Sequence, residues 1–193
     1  MAKKLLIIDR DGTLIKEAPP TYRIDSWNKL EFYPHVFEFM HKIAAQTPFD
    51  LIMVTNQDGL GDDDFPEDKF WPIQDFIIRC FENEGVHFSA VHIDKSYPWQ
   101  NLSTRKPGTG LFLDYLDNPL FDLQKSFVIG DRITDVQLAK NLGCKAVWLN
   151  NESGLGASET ENTREELQPS IALETNGWKE IYDYLKAVDS ISS

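Results

Sequence analysis

Four short runs in this chain are almost wholly apolar: "LLII" (5–8), "LIMV" (51–54), "FVIG" (127–130) and "AVWL" (146–149). Side chains alternate between the two faces of a strand, so a strand with one wet face alternates apolar and polar residues. Runs without that alternation suit strands covered on both faces, as in a parallel sheet flanked by helices. On this basis strands are expected at 4–8, 50–54, 88–93, 126–129, 145–149 and 170–173. Helical patterns lie between them. Residues 34–46 open behind Pro34, which suits a first helical turn. In 67–84, Phe70, Ile73, Ile77, Cys80 and Phe81 recur at helical spacing. Shorter helices are expected at 108–116 and 133–142, and another at 177–187. Strands alternating with helices predict an α/β fold with a doubly wound, mostly parallel sheet.

The 193 residues suffice for one sizeable domain and are short for two, so residues 1–193 are expected to form a single domain. A formal net charge of −12 argues against nucleic acid, which needs clustered Lys and Arg, and against an anionic membrane surface. No apolar run approaches the ~20 residues of a spanning helix. The opening "MAKKLLIIDRDG" lacks the apolar length and cleavage site of a secretory signal. A cytoplasmic protein is expected. The two cysteines, Cys80 and Cys144, show no Cys-x-x-Cys spacing and are read as buried free thiols. The acidic run Asp62, Asp63 and Asp64 is read as charge ahead of a helix N-terminus, and 150–168 as a polar surface connection.

The first strand ends in "DRDGT". If the segment is still extended there, Asp9 and Asp11 face one space beyond the strand end. In an open parallel sheet that edge binds ligands, beside the point where strand order reverses. Other strand ends bring Thr55 and Asn56 ("VTNQ"), and Asp131 with Asp135 ("GDRITD"). The long loop 94–107 ends in "TRKPG" and supplies Arg105 and Lys106. Several carboxylates in one cleft repel one another unless a hard cation sits among them, and Mg²⁺ takes oxygen ligands and joins carboxylates to phosphate. A carboxylate there can attack phosphorus, and a second can protonate the leaving alcohol and then activate water. Thr55, the Asn56 N–H and Lys106 suit phosphate oxygens, and Gly12 lets the backbone pass close to them.

These motifs resemble the four of haloacid-dehalogenase-type (HAD) phosphatases. Within that superfamily, "IDRDGTLI", "KLEFYPHV", "VTNQDGLG" and "VIGDRITDVQLAKNLGC" are similar to the histidinol-phosphate phosphatase region of the bifunctional histidine-biosynthesis enzyme. Heptose-bisphosphate phosphatases share "DRDGT" and "TNQ". The resemblance implies a HAD-like core and an Mg²⁺-dependent phosphomonoesterase acting on a small phosphorylated metabolite. It makes Asp9 nucleophile and metal ligand, and Asp11 the acid/base, with its carbonyl on the metal. Asp131 is then a further ligand, and Thr55, Asn56 and Lys106 bind phosphate. Asp135 sits behind them, orienting Lys106 or a metal-bound water.

Many relatives hold zinc in the loop before "RKP". The corresponding positions here, Asp94, Ser96, Leu102 and Thr104, are neither Cys nor His, so no zinc is expected; packing of Tyr97 and Trp99 could order the loop instead. No insertion of cap-domain size separates the motifs, so loops 15–33 and 94–107 are expected to close over the site. Glu17 is the candidate contact for a substrate amine, with Asp58 behind it, and Arg105 a further substrate contact. A rival of another class is a receiver-type phospho-acceptor module, which also gathers Asp, Thr and Lys at strand ends. Oligomeric state is left open.

Overall fold

The computed structural model describes residues 2–150 and 165–191. Six strands form one sheet: β1 (Lys4–Asp9), β2 (Phe49–Asn56), β3 (Phe88–Asp94), β4 (Phe127–Gly130), β5 (Lys145–Leu149) and β6 (Ile171–Thr175). All pairings are parallel, in the order β3-β2-β1-β4-β5-β6. The chain builds outward from β1 to β3, then returns to the other flank of β1 and builds outward again. The order therefore reverses at β1, and the carboxyl ends of β2, β1 and β4 lie side by side, where an open sheet leaves a crevice.

The unbroken apolar runs have the expected cause. In β1, Leu6 and Ile8 join a core with α1 (Val36–Gln46), α2 (Glu67–Asn83) and α4 (Trp178–Ile191). Leu5 and Ile7 join a second core with α3 (Ile133–Leu142) and Phe112 on the opposite face. Both faces of the central strands are dry, so neither can carry polar side chains until the strand ends. Cys80 and Cys144 are free thiols, and burial pushes Cys144 up to about 12, where it is unreactive.

The helix expected at 108–116 does not form. A three-residue 3₁₀ turn at Gly110–Phe112 replaces it. Gly108 and Gly110 pack their α-carbons against the backbone of Ser103, where a Cβ would lie 2.2 and 2.8 Å from its nearest backbone atoms. That close contact and the two glycines leave too little helix-forming sequence for nucleation. Residues 151–164, most of the expected surface connection, lie outside the described residues. Among the described residues no helix is long and apolar enough to cross a membrane.

Two indoles fix the loops that leave the central strands. Trp148 Nε1 donates to the Asp131 carbonyl at 2.8 Å, and Trp178 Nε1 to the Thr13 carbonyl at 3.1 Å. Trp178 is almost wholly buried in the first core. Trp178→Ala should destabilise the fold by about 3–5 kcal/mol through the cavity and the lost hydrogen bond. Urea unfolding midpoints measure the difference, and a loss under 1 kcal/mol would contradict this role.

Candidate active site

Asp9 is the last residue of β1, and Asp131 follows β4 directly. Asp135 lies in the first turn of α3. Oxygen atoms of these three buried carboxylates lie within 4.8 Å of one another. Lys106 Nζ sits among them, 2.5 Å from Asp9 Oδ1 and 2.7 Å from Asp135 Oδ1. Its backbone is clamped by Asn56, whose Oδ1 accepts from Lys106 N at 3.1 Å and whose Nδ2 donates to Lys106 O at 3.3 Å. Gly12 has φ +82°, and a Cβ there would lie 2.1 Å from Asp131 Oδ2. Only glycine both adopts that backbone and leaves room for the carboxylate.

Three carboxylates and one ammonium leave excess negative charge in a buried space. Burial, only partly offset by Lys106, raises Asp9 to about 7 from the ordinary 3.8. Burial, with the neighbouring Asp9 and Asp135, raises Asp131 to about 9. Burial also works against the charge on Lys106, but Asp135 and Asp9 outweigh it and hold the ammonium above the usual lysine range. Both oxygens of Asp135 are taken, Oδ1 by Lys106 and Oδ2 by the backbone N–H of Arg132 at 3.0 Å. Asp131 Oδ1 is buried without a partner among the described residues. An oxygen-only donor set, an orphaned carboxylate oxygen and surplus negative charge fit a hard divalent cation.

Asp11 lines the same cleft, but its side chain is held apart from that cluster. Arg10 Nη2 donates to both its oxygens at 2.9 Å, and Gln57 Nε2 donates to Oδ2 at 2.5 Å. Thr55 Oγ1 lies 3.5 Å from the same oxygen. Arg10 is fully buried, with Nη1 on Gln74 Oε1 at 2.9 Å and its guanidinium over the Phe70 ring. The sequence reading missed this brace; its signal was a charged residue, Arg10, set between two aspartates at the end of an apolar strand.

The cleft measures about 980 Å³, and both long loops contribute to it, with Tyr22 and Arg23 from one and Tyr97 to Leu102 from the other. Arg105 reaches the cleft wall, but its guanidinium forks onto Asp58 at 2.6 and 3.3 Å and onto the Ser96 carbonyl at 2.7 Å. It works as a strut between two loops, and Asp58 is its counter-ion. Glu17, expected to meet a substrate amine, sits beside the cleft wall. Its carboxylate is ion-paired with Arg132 and it lines a neighbouring cavity of about 720 Å³. Arg132, absent from the sequence reading, takes the cleft-wall position instead.

Loop 94–107 is closed by a polar clasp. Asp94 Oδ1 accepts from Ser96 N at 2.9 Å and Ser96 Oγ at 2.5 Å, while Oδ2 accepts from Thr104 Oγ1 at 2.5 Å. Asp94, Ser96 and Thr104, three of the four positions noted above for lacking Cys or His, are thus joined by hydrogen bonds. Tyr97 and Trp99 do stack, with ring centroids 4.2 Å apart, but Trp99 stays exposed, so the stack buries little.

A family profile described as HAD-hydrolase-like matches residues 103–174. The bifunctional histidine-biosynthesis protein HisB of Spirosoma linguale is 48% identical over 187 residues, covering 95% of this chain and 49% of that protein. HisB of Bacteroides fragilis is 46% identical over 187 residues, covering 97% and 48%. The chain is homologous to HisB along nearly its whole length and to HAD-hydrolase-like proteins over residues 103–174. It spans about half the length of these HisB relatives. In fold it is similar to a HAD-like phosphatase structure from Mesorhizobium loti (TM-score 0.75, 21% identity, 98% of this chain and 88% of that one). It is also similar to a D,D-heptose 1,7-bisphosphate phosphatase from B. bronchiseptica, complexed with magnesium and phosphate (TM-score 0.74, 21% identity, 94% and 97%).

The raised carboxylates give the metal-free protein a defined pH dependence. Below about pH 4 folded and unfolded chains both hold these protons. As pH rises the unfolded chain releases them first, and the folded site follows only near 7 (Asp9) and 9 (Asp131). These two groups therefore subtract stability progressively from about pH 4 to 9, and a bound divalent cation should restore it. The Mg²⁺-induced rise in Tm should be larger at pH 8.5 than at pH 5.5 and should vanish in Asp131→Asn. An equal rise at both pH values would refute the assignment.

Proposed function

We propose that this chain hydrolyses histidinol phosphate to histidinol and inorganic phosphate through a phosphoryl-Asp9 intermediate. What carries the chemistry is one arrangement: buried Asp9 at the strand switch point, in contact with Lys106 and beside the unpartnered oxygen of Asp131. What carries the substrate is the near-full-length identity of this chain to about half of HisB.

Thr55, the Asn56 N–H and Lys106 hold the phosphate oxygens and aim phosphorus at Asp9. An Asp9 oxygen attacks, and the phosphorus–oxygen bond to the alcohol breaks. Asp11 gives its proton to the leaving oxygen and then takes one from the incoming water, whose oxygen displaces Asp9 and releases phosphate. Arg10 and Gln57 keep Asp11 oriented between these transfers. Asp135 steadies Lys106, and Glu17 steadies Arg132 in the cleft wall. Asp9, Asp131 and the Asp11 carbonyl would hold Mg²⁺, which would supply Lewis-acid neutralisation of the phosphoryl charge.

The receiver-type alternative fits less well. Receiver sheets run in the order 2-1-3-4-5, with one strand on the near side of the first. Here β2 and β3 both lie there. A second carboxylate two residues beyond the nucleophile also equips the site for turnover.

Asp9→Asn should lower phosphate release by at least about 10⁴-fold, and Asp11→Asn by roughly 10² to 10⁴-fold with phosphoenzyme detectable after acid quench. An Asp9→Asn protein working near the wild-type rate would end the mechanism. Across a panel of histidinol phosphate, heptose bisphosphate and simple sugar phosphates, histidinol phosphate should lead in kcat/KM by at least about tenfold, or 1.4 kcal/mol of transition-state discrimination. A smaller margin would leave a phosphatase of another small ester.

A further inference from the structure

The mouth of the cleft carries an exposed aromatic surface that the chemistry above does not use. Trp99 is 71% exposed and borders the cleft together with Tyr22, Tyr97 and Leu102. Exposing an indole gains the fold nothing, and a contiguous apolar rim on a polar cleft marks a contact surface. The indole is also held in place. It lies nearly parallel to the Tyr97 ring, at 11° and 4.2 Å. The Tyr97 hydroxyl packs on Gly59, where a Cβ would lie 2.1 Å from it. Tyr97 N donates to Gln100 Oε1 at 2.7 Å, closing the turn that carries Trp99. The Asp94 clasp and the Arg105 strut to Asp58 tie both ends of this segment to the strand ends that hold the reacting groups.

We infer that Trp99, backed by Tyr97, is the specificity platform for the leaving group and takes a planar, cationic ring. The inference rests on the phosphatase reading of the cleft and adds what the phosphate-binding groups cannot supply, a preference among alcohols. A planar ring can stack on the indole, and positive charge adds a cation–π attraction. The chain as a whole carries a net charge of −12, which steers cations toward it at long range. A rigid platform loses little conformational entropy when a ring covers it.

The test compares kcat/KM for planar-ring phosphate esters (histidinol phosphate and benzyl phosphate) with a ring-free amino-alcohol phosphate, in wild type, Trp99→Ala and Trp99→Phe. Taking the ratio cancels any general loss of catalysis. Wild type should favour ring esters, and the cationic ring most. Trp99→Ala should lower the ring to ring-free ratio at least about tenfold, mostly through KM, and Trp99→Phe should recover most of it. A ratio that falls less in Trp99→Ala overturns the platform even if histidinol phosphate remains the preferred substrate. If histidinol phosphate is not preferred but ring esters are, and the alanine variant removes that preference, the platform stands and the substrate assignment falls.

Discussion

Lys106 in contact with Asp9 and Asp135 is the interaction on which this site depends. Three carboxylates cannot share a buried space without compensation, because removing charge from water is costly and like charges add to that cost. One ammonium does not balance them, and burial with the neighbouring carboxylates pushes Asp9 up to about 7 and Asp131 up to about 9. An oxygen-only cluster of this kind could hold a divalent ion. Truncating Lys106 would leave two buried carboxylates without their counter-ion.

The distances of that cluster are set from outside it. β1, β2 and β4 place Asp9, Asn56 and Asp131 at adjacent strand ends, and Asn56 clamps the backbone of Lys106. The chain reaches Lys106 through loop 94–107, so the loop must be ordered for the ammonium to arrive. Asp94 orders it with hydrogen bonds alone, and Arg105 braces it against Asp58. The same loop presents Trp99 to the cleft. The Trp99 ring at the cleft mouth and the Lys106 ammonium beside Asp9 therefore ride on one segment, in a protein that shows no large cap domain among its described residues.

Much of this was legible in the residues. Strand positions were readable because two-sided burial leaves a continuous apolar run that few other structures require. The clustering of Asp9 and Asp131 was readable because each ends such a run and strand ends in a parallel sheet share one edge, with Asp135 four residues beyond Asp131 and Lys106 at the end of a long loop. The expected helix at 108–116 failed because its apolar spacing belongs to a turn that plugs Phe112 into the core, and spacing cannot reveal that Gly108 and Gly110 pack on Ser103. Arg10, Gln57 and Arg132 escaped notice because their roles are contacts between distant elements. Nothing near Glu17 in sequence points to Arg132.

The sequence by itself determined the sheet, the strand-end carboxylates and the chemistry they can support, because those depend on periodicity and on residue type at the end of a strand. Tertiary structure alone decided which charges pair. Asp58 went to Arg105 and Glu17 to Arg132, leaving Asp131 with an oxygen unpartnered among the described residues. Pairing depends on distances of a few ångströms between segments far apart in the chain, and electrostatic energy in a buried site changes steeply over that range.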